Sequence, residues 1–262
     1  MDIIVLIKQV PDTSDVKIDK KTGNLIREGV PTIINPYDLH ALEEALLLKE
    51  KYKGKVTALT MGPPQAIDAL QEAIAMGVDT GILLTDMAFA GADTWATSYT
   101  LGKCIEKIGR FDIIICGFQA IDGDTAQVGP QVAEYLDIPQ LTYVRDIKIS
   151  RKKVIAERIT DGGYEKIECG MPALITVIKE INKPRYPAIE EIISACSDDA
   201  DIKIWNAGDI GAKVEDIGLM GSPTNVKKVY TPDQKRKGET LEGKPEVVAR
   251  ELLEKLKGKN IL

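Results

Sequence analysis

Eight residues near the middle of the chain have the make-up of an anion cradle: Asp122-Gly123-Asp124-Thr125-Ala126-Gln127-Val128-Gly129. They follow the apolar run Ile113-Ile114-Ile115-Cys116, and Val128, Val132 and Leu136 recur at helical spacing, so a strand should lead through this loop into a helix beginning near Thr125. A helix start leaves N–H groups unpaired and carries the positive end of the dipole. The amides of Ala126, Gln127 and Val128 would therefore suit a phosphate. Thr125 adds a hydroxyl, and Gly123 lets backbone approach a ligand. Carboxylates touching a phosphate would repel it, so Asp124 reads as the N-cap and Asp122 as an acceptor for ribose or base hydroxyl and amine groups. The same residues would equally make a capped structural turn, and the pattern alone leaves both readings open. The acid series of a calcium loop is missing, as are GxGxxG and GxxxxGK[ST].

Little else in the chain offers side-chain chemistry. The single histidine, His40, reads as packed or solvent-facing, and Cys104, Cys116, Cys169 and Cys196 lack metal-ligand spacing. No catalytic side chain and no metal site are expected, so any redox chemistry must come from an organic cofactor. Trp95 reads as a residue that stacks on a ring or fills a core, the core being favoured, Cys116 as a small core residue, and the run Glu43-Glu44 to Lys49-Glu50-Lys51 as a solvated helix face. The 262 residues carry a formal charge of -6, which disfavours nucleic acid and anionic membranes as partners despite the short basic run Lys235-Arg236-Lys237. No secretory pattern opens the chain and no apolar run reaches spanning length, so a cytoplasmic or matrix-like location without membrane insertion is expected.

Positioning the loop requires a scaffold, and the hydrophobic rhythm supplies one. Apolar runs alternate with amphipathic stretches to residue 136, the pattern of βαβ units around a parallel sheet. The expected strands are 2–7, 55–61, 81–84 and 111–116. Helices should start at Asn35-Pro36, after Gly62-Pro63-Pro64, and at Asp93, running to Ile108. Segments 16–19 and 25–27 read as an antiparallel excursion around a 20–24 turn. Strands 141–149, 154–160 and 164–169 should form an antiparallel edge with Asp161-Gly162-Gly163 as a turn, and 172–178 another buried run. Residues 200–245 lack periodicity and read as an extended arm whose Ile210, Ile217, Leu219 and Met220 lie on a partner subunit, with a last helix over 245–256.

Five blocks in order then carry a resemblance: Ile7-Lys8-Gln9-Val10-Pro11-Asp12, Asn35-Pro36-Tyr37-Asp38, Gly117 to Gly129, Asp161-Gly162-Gly163, and Lys183-Pro184-Arg185-Tyr186-Pro187-Ala188-Ile189. Over nearly its whole length the chain resembles the beta subunit of electron transfer flavoproteins. The resemblance implies a Rossmann-like, adenine-nucleotide-binding α/β domain over 1–199, and an arm and helix over 200–262 wrapping an alpha subunit that carries a mobile flavin domain. It implies that Leu6, Lys8, Asn35, Thr60, Met61, Gly62, Asp93 and Thr94 join Asp122, Gly123, Asp124, Thr125, Ala126, Gln127 and Val128 around the cofactor. Tyr37 would approach the partner's flavin, and Ile189 would dock a dehydrogenase.

Two branches of that family use the nucleotide site differently, one holding structural AMP and the other FAD. The AMP type carries a more acidic turn, with Asn before its Gln. Here Gly123 and Ala126 stand in those places, and the loop is similar to the bifurcating branch. The resemblance thus implies FAD that takes a hydride from NADH and divides electrons between the alpha-subunit flavin and ferredoxin or flavodoxin. It further implies an acyl-CoA-type or other flavin dehydrogenase as a partner, in the setting of anaerobic metabolism. The alternatives are a non-bifurcating subunit with AMP that docks acyl-CoA-type dehydrogenases, and a stand-alone nucleotide-binding module.

Overall fold

The computed structural model describes residues 1–12, 17–18, 25–26, 31–197, 199–227, 238–259 and 261, with 17, 18, 25 and 26 described as backbone only. Two compact units result, Met1–Lys227 and Lys228–Leu262. The basic run 235–237 and the expected 20–24 turn lie outside the described residues.

The first unit is built around strands whose short apolar runs bury both faces: β1 (Asp2–Leu6), β6 (Lys55–Met61), β7 (Thr80–Leu84), β8 (Ile113–Gly117) and β12 (Ala173–Val177). Between β1 and β6 come β2 (Gln9–Pro11), β3 (Lys17–Ile18), β4 (Leu25–Ile26) and β5 (Thr32–Ile34). They form two antiparallel pairs, β2 with β5 and β3 with β4, so the excursion expected before the first helix is present. The strands β9 (Gln140–Ser150), β10 (Lys153–Thr160) and β11 (Gly163–Gly170) complete one edge of a nine-stranded sheet, and β13 (Ile202–Trp205) the other. The order is β11-β10-β9-β12-β8-β1-β6-β7-β13, parallel from β9 to β13, with β10 and β11 antiparallel as their alternating residues predict.

Helices cover both faces. Helix α1 (Pro36–Tyr52) starts on Pro36, where a missing N–H does no harm, and inserts Leu42 and Leu46 into the core it shares with α2 (Ile67–Met76). On the other face α3 (Thr94–Ile108) and α4 (Val128–Tyr135) bury Leu101, Ile105 and Val132. The Asp93 carboxylate caps α3 by accepting the amides of Trp95 and Ala96, at 3.0 and 3.1 Å. The short helix α5 (Ile189–Ala195) packs on α2.

Several sequence expectations change. Glu43 and Glu44 are buried rather than solvated, because residues about 140 positions later come to them. Arg185 donates its Nε and Nη2 to the Glu43 carboxylate at 2.8 and 3.0 Å and Nη1 to Glu50 at 2.6 Å, while Asn182 donates to Glu44 at 3.1 Å. Trp95 is 59% exposed rather than in the core. Residues 199–227 stay within the first unit: β13 pairs with β7, and Ile210 and Ile217 are buried in the α3 and α4 core, so only Leu219 and Met220 of the four expected arm contacts are exposed.

The second unit contains α6 (Pro245–Gly258), with Pro245 at its first position and Lys255 and Lys257 in its last turn, where cations offset the dipole. Its Val247, Leu252 and Leu253 are exposed.

Candidate functional site

Strand order decides where a ligand can enter. From β1 the chain steps outward to β6 and β7, and α3 then carries it back to β8 on the opposite flank of β1, so connections diverge between β1 and β8. An open α/β sheet has its crevice at such a divergence, outside the carboxyl ends of the strands. Leu6 and Cys116 are paired at those ends.

The α1 side of the crevice is fully bonded. Asp38, in the first turn of α1, is buried, and its two carboxylate oxygens accept the amides of Lys8 at 2.8 Å and Gly117 at 3.0 Å, which joins the ends of β1 and β8. Burial pushes its carboxyl up to about 7, against the opposing pull of Asn35 and of the Lys8 and Gly117 amides. Gly117 is required here, since a Cβ would lie 2.5 Å from an Asp38 oxygen and 2.6 Å from the Tyr37 Cβ. Asn35 occupies the cap position of α1 but its side chain does not cap. Instead it reaches the loop after β8, donating Nδ2 to the Gln119 carbonyl at 2.8 Å and accepting the Ile121 amide at 3.1 Å. Lys8 extends across the crevice, and its Nζ donates to both oxygens of Asp122, at 2.8 and 2.6 Å. Asp122 is therefore ion-paired rather than a free acceptor.

The α4 side is different. Helix α4 begins at Val128 with Gln127 in the cap position, three residues later than expected. Pro130 explains the shift: in a helix begun at Thr125 its ring would meet the Ala126 carbonyl four residues back, whereas in the first turn it is harmless. Asp124 and Ala126 both take left-handed backbone, φ 49 and φ 54, and the Asp124 carboxylate accepts the Gln119 side-chain amide at 2.9 Å instead of capping the helix. In consequence the backbone N–H groups of Thr125, Ala126, Gln127, Val128 and Gly129 have no hydrogen-bond partner among the described residues. A Cβ on Gly123 would meet nothing within 4 Å, whereas one on Gly129 would lie 2.9 Å from the Cys116 sulfur, which keeps α4 close against the sheet.

The remaining expected residues frame this loop. Thr94, at the start of α3, donates its hydroxyl to the Gln127 side chain at 3.1 Å. Asp93 is held by the α3 amides and by Thr224, whose N and hydroxyl donate at 2.9 and 2.7 Å. Burial raises the Asp93 carboxyl, but the bonds from Thr224, Ala96 and Trp95 outweigh it and hold it below the usual carboxylate range. Leu6 buries its side chain in the core and can offer only backbone. Thr60, Met61 and Gly62 stand at the end of β6, next to β1, and the buried Thr60 hydroxyl has no partner among the described residues. Cys116 is buried and its thiol is pushed above its usual range, chiefly by burial and further by Asp38, so it is no nucleophile at neutral pH. His40 faces Asn182 across 3.1 Å.

Sequence reasoning missed Asp38 as a positioning group, although an acid in the first turn of a helix that opens at a strand edge was a visible signal. Nothing local signalled Thr224.

The arrangement can bind phosphate through free amides, and ribose or base through the flanking carboxylates and hydroxyls. A family model described as an electron transfer flavoprotein domain matches residues 22–204. The chain is 54% identical to an electron transfer flavoprotein subunit beta from Thermoanaerobacterium thermosaccharolyticum, over all of both chains. It is 51% identical to the subunit beta of Clostridium acetobutylicum over 98% of each chain. It is also 51% identical, over all of both chains, to the caffeyl-CoA reductase-Etf complex subunit CarD of Acetobacterium woodii.

Proposed function

The chain belongs to the electron transfer flavoprotein family as a beta subunit, and from that premise we propose that its β1/β8 crevice holds FAD and that the chain serves electron bifurcation. The observation that carries the reading is the row of five free amides from Thr125 to Gly129 at the switch point, next to open space at Gly123. Phosphate oxygens would satisfy those amides, the Thr60 hydroxyl, without a partner among the described residues, offers a further donor, and the open surface at Gly123 sets no steric limit on a cofactor longer than AMP. The residues present fit the group.

When bound, FAD would supply the redox chemistry, taking a hydride from NADH and dividing its electrons between the flavin of the alpha subunit and ferredoxin or flavodoxin. The chain's own residues bind and orient. Asp38 and Asn35 hold the strand ends and the 119–121 backbone, Lys8 fixes Asp122, and Thr94 fixes Gln127, so the free amides are held in place before a ligand arrives. For a dehydrogenase partner the candidate contact is Ile189, 73% exposed, at the end of a segment that Arg185 pins to Glu43. The similarity to CarD, a subunit of a caffeyl-CoA reductase-Etf complex, favours a partner acting on CoA thioesters. Exposed Leu219 and Met220, and separately the exposed apolar residues of α6, are candidates for contact with the alpha subunit.

The test is to purify the heterodimer, release its nucleotides and count them. Two FAD and no AMP per heterodimer is the expected result; one FAD and one AMP would overturn the bifurcating assignment.

A further inference from the structure

At the opposite ends of the strands the α3 face of the sheet is left uncovered. Helix α3 stops at Ile108, Gly109 turns the chain away at φ 89, and the amino halves of β1, β6, β7 and β13 border a hollow of about 330 Å³. Its walls are apolar at Ile4, Ile82 and Phe111, with the hydroxyl-bearing Thr57 beside them, and the Trp205 ring closes one side. Four cations line it: Lys55, Lys107, Arg110 and Lys203. Lys107 is engaged, with Nζ donating to the Asp209 carbonyl at 2.5 Å and standing 4.6 Å from the centre of the Trp205 ring. The side chains of Lys55, Arg110 and Lys203 have neither an ion pair nor a side-chain hydrogen bond among the described residues. Of the nearby acids, Asp112 accepts the Asp2 amide at 2.8 Å and Asp201 accepts the Thr80 hydroxyl at 2.7 Å, which leaves the Asp2 carboxylate as the one acid lining the hollow.

Four cations against the single carboxylate of Asp2 make the lining net positive, in a chain of net charge -6. The volume is at the small end of the range for ligand pockets, about 300–1,000 Å³, enough for one ring or a short chain with a charged head. We propose that this hollow is a second ligand site, separate from the nucleotide crevice, for a small amphiphilic anion: an apolar or aromatic body against Trp205 and Phe111, with a phosphate or carboxylate head held by Lys55, Arg110 and Lys203.

Trp205 gives the readout. The chain has two tryptophans, and the exposed Trp95 can be changed to Phe so that emission reports the hollow alone. Full-length Trp95→Phe chain is titrated with phenyl phosphate, with inorganic phosphate and with phenol. Phenyl phosphate should change Trp205 emission saturably, with a midpoint below about 1 mM as for a weak small-molecule site. Inorganic phosphate and phenol should each be at least about fivefold weaker, since each supplies only half of the interaction. Adding Lys55→Gln and Lys203→Gln, both on exposed side chains, should weaken phenyl phosphate by about tenfold or more. A non-saturating response, equal binding by phosphate or phenol alone, or a midpoint unchanged by the lysine substitutions would overturn the proposal. Arg110→Gln provides an independent third charge removal if the double variant expresses poorly.

Discussion

On the α1 side of the crevice Asp38, Asn35 and Lys8 spend their polar groups on one another and on the 117–122 segment, whereas on the α4 side five successive amides face no partner among the described residues. Both sides border the same pair of strand ends, but Asn35 and Asp38 are buried whereas Gly123, Asp124, Thr125 and Gln127 are exposed. Buried donors and acceptors are paired within the chain, because an unmade hydrogen bond there costs roughly 1–3 kcal/mol. Free amides held in left-handed and helix-start geometry are instead what an anion site requires, and the backbone strain at Asp124 and Ala126 falls on that side only. The α1 side is the scaffold and the α4 side the face offered to ligand.

The largest effect that could break this division is the titration of Asp38. The folded chain holds this proton up to about pH 7, while the unfolded chain releases it near 3.8, so the folded state binds more protons between those values. Stability therefore falls as pH rises through that window, by on the order of 4 kcal/mol from this one group. Glu44 and Glu72, also raised by burial, slope the same way. Chemical denaturation at pH 4.5 and pH 7.5 should show a smaller decline in Asp38→Asn than in the parent, and equal declines would remove Asp38 from its assigned place.

Asn35→Ala comes next. It strands the Gln119 carbonyl and the Ile121 amide, and a loss of about 3 kcal/mol in denaturant unfolding is expected. Asn35→Asp, which keeps the acceptor for Ile121, should lose less.

On the ligand side, Gly123→Glu should leave the melting temperature within about 2 °C of the parent, because a Cβ there meets no atom of the chain. FAD affinity of the heterodimer should nonetheless fall by about tenfold, and its occupancy on dilution with it, as a charge opposite a phosphate adds about 1.4 kcal/mol of repulsion. A melting shift without an occupancy change would reverse the roles given to the two sides. The smallest effect belongs to Lys8→Gln. The Lys8–Asp122 pair is solvent-accessible and contributes less than about 1 kcal/mol to stability, so a loss of nucleotide affinity should exceed any loss of stability.

Much of this was legible in the sequence wherever cause and effect lie close together along the chain. The βαβ rhythm, the Asn35-Pro36 helix opening, the Asp93 cap and the antiparallel strands after residue 140 rest on local propensities and are found in place. What escaped depends on distant partners. Glu43 and Glu44 look like a solvated face until Arg185 and Asn182 are brought onto them. Asn35 looks like a cap until the 119–121 backbone, some 85 residues on, takes its side chain. The start of α4 lies later than its apolar spacing suggests for a local reason, since Val128, Val132 and Leu136 mark a helix face while Pro130 limits where the helix can begin. Residues 200–227 looked like an arm because a single four-residue strand and two isolated isoleucines make no periodic signal, although they complete the sheet edge and core.

Hydrogen exchange on the heterodimer, stripped of nucleotide and then reloaded with FAD, addresses the division between scaffold and ligand face most directly. Peptides covering residues 123–129 should exchange quickly when stripped and become strongly protected on reloading, while those covering the Lys8 and Gly117 amides stay protected in both states. Unchanged exchange over 123–129 on loading would contradict the assignment of those amides to the phosphates.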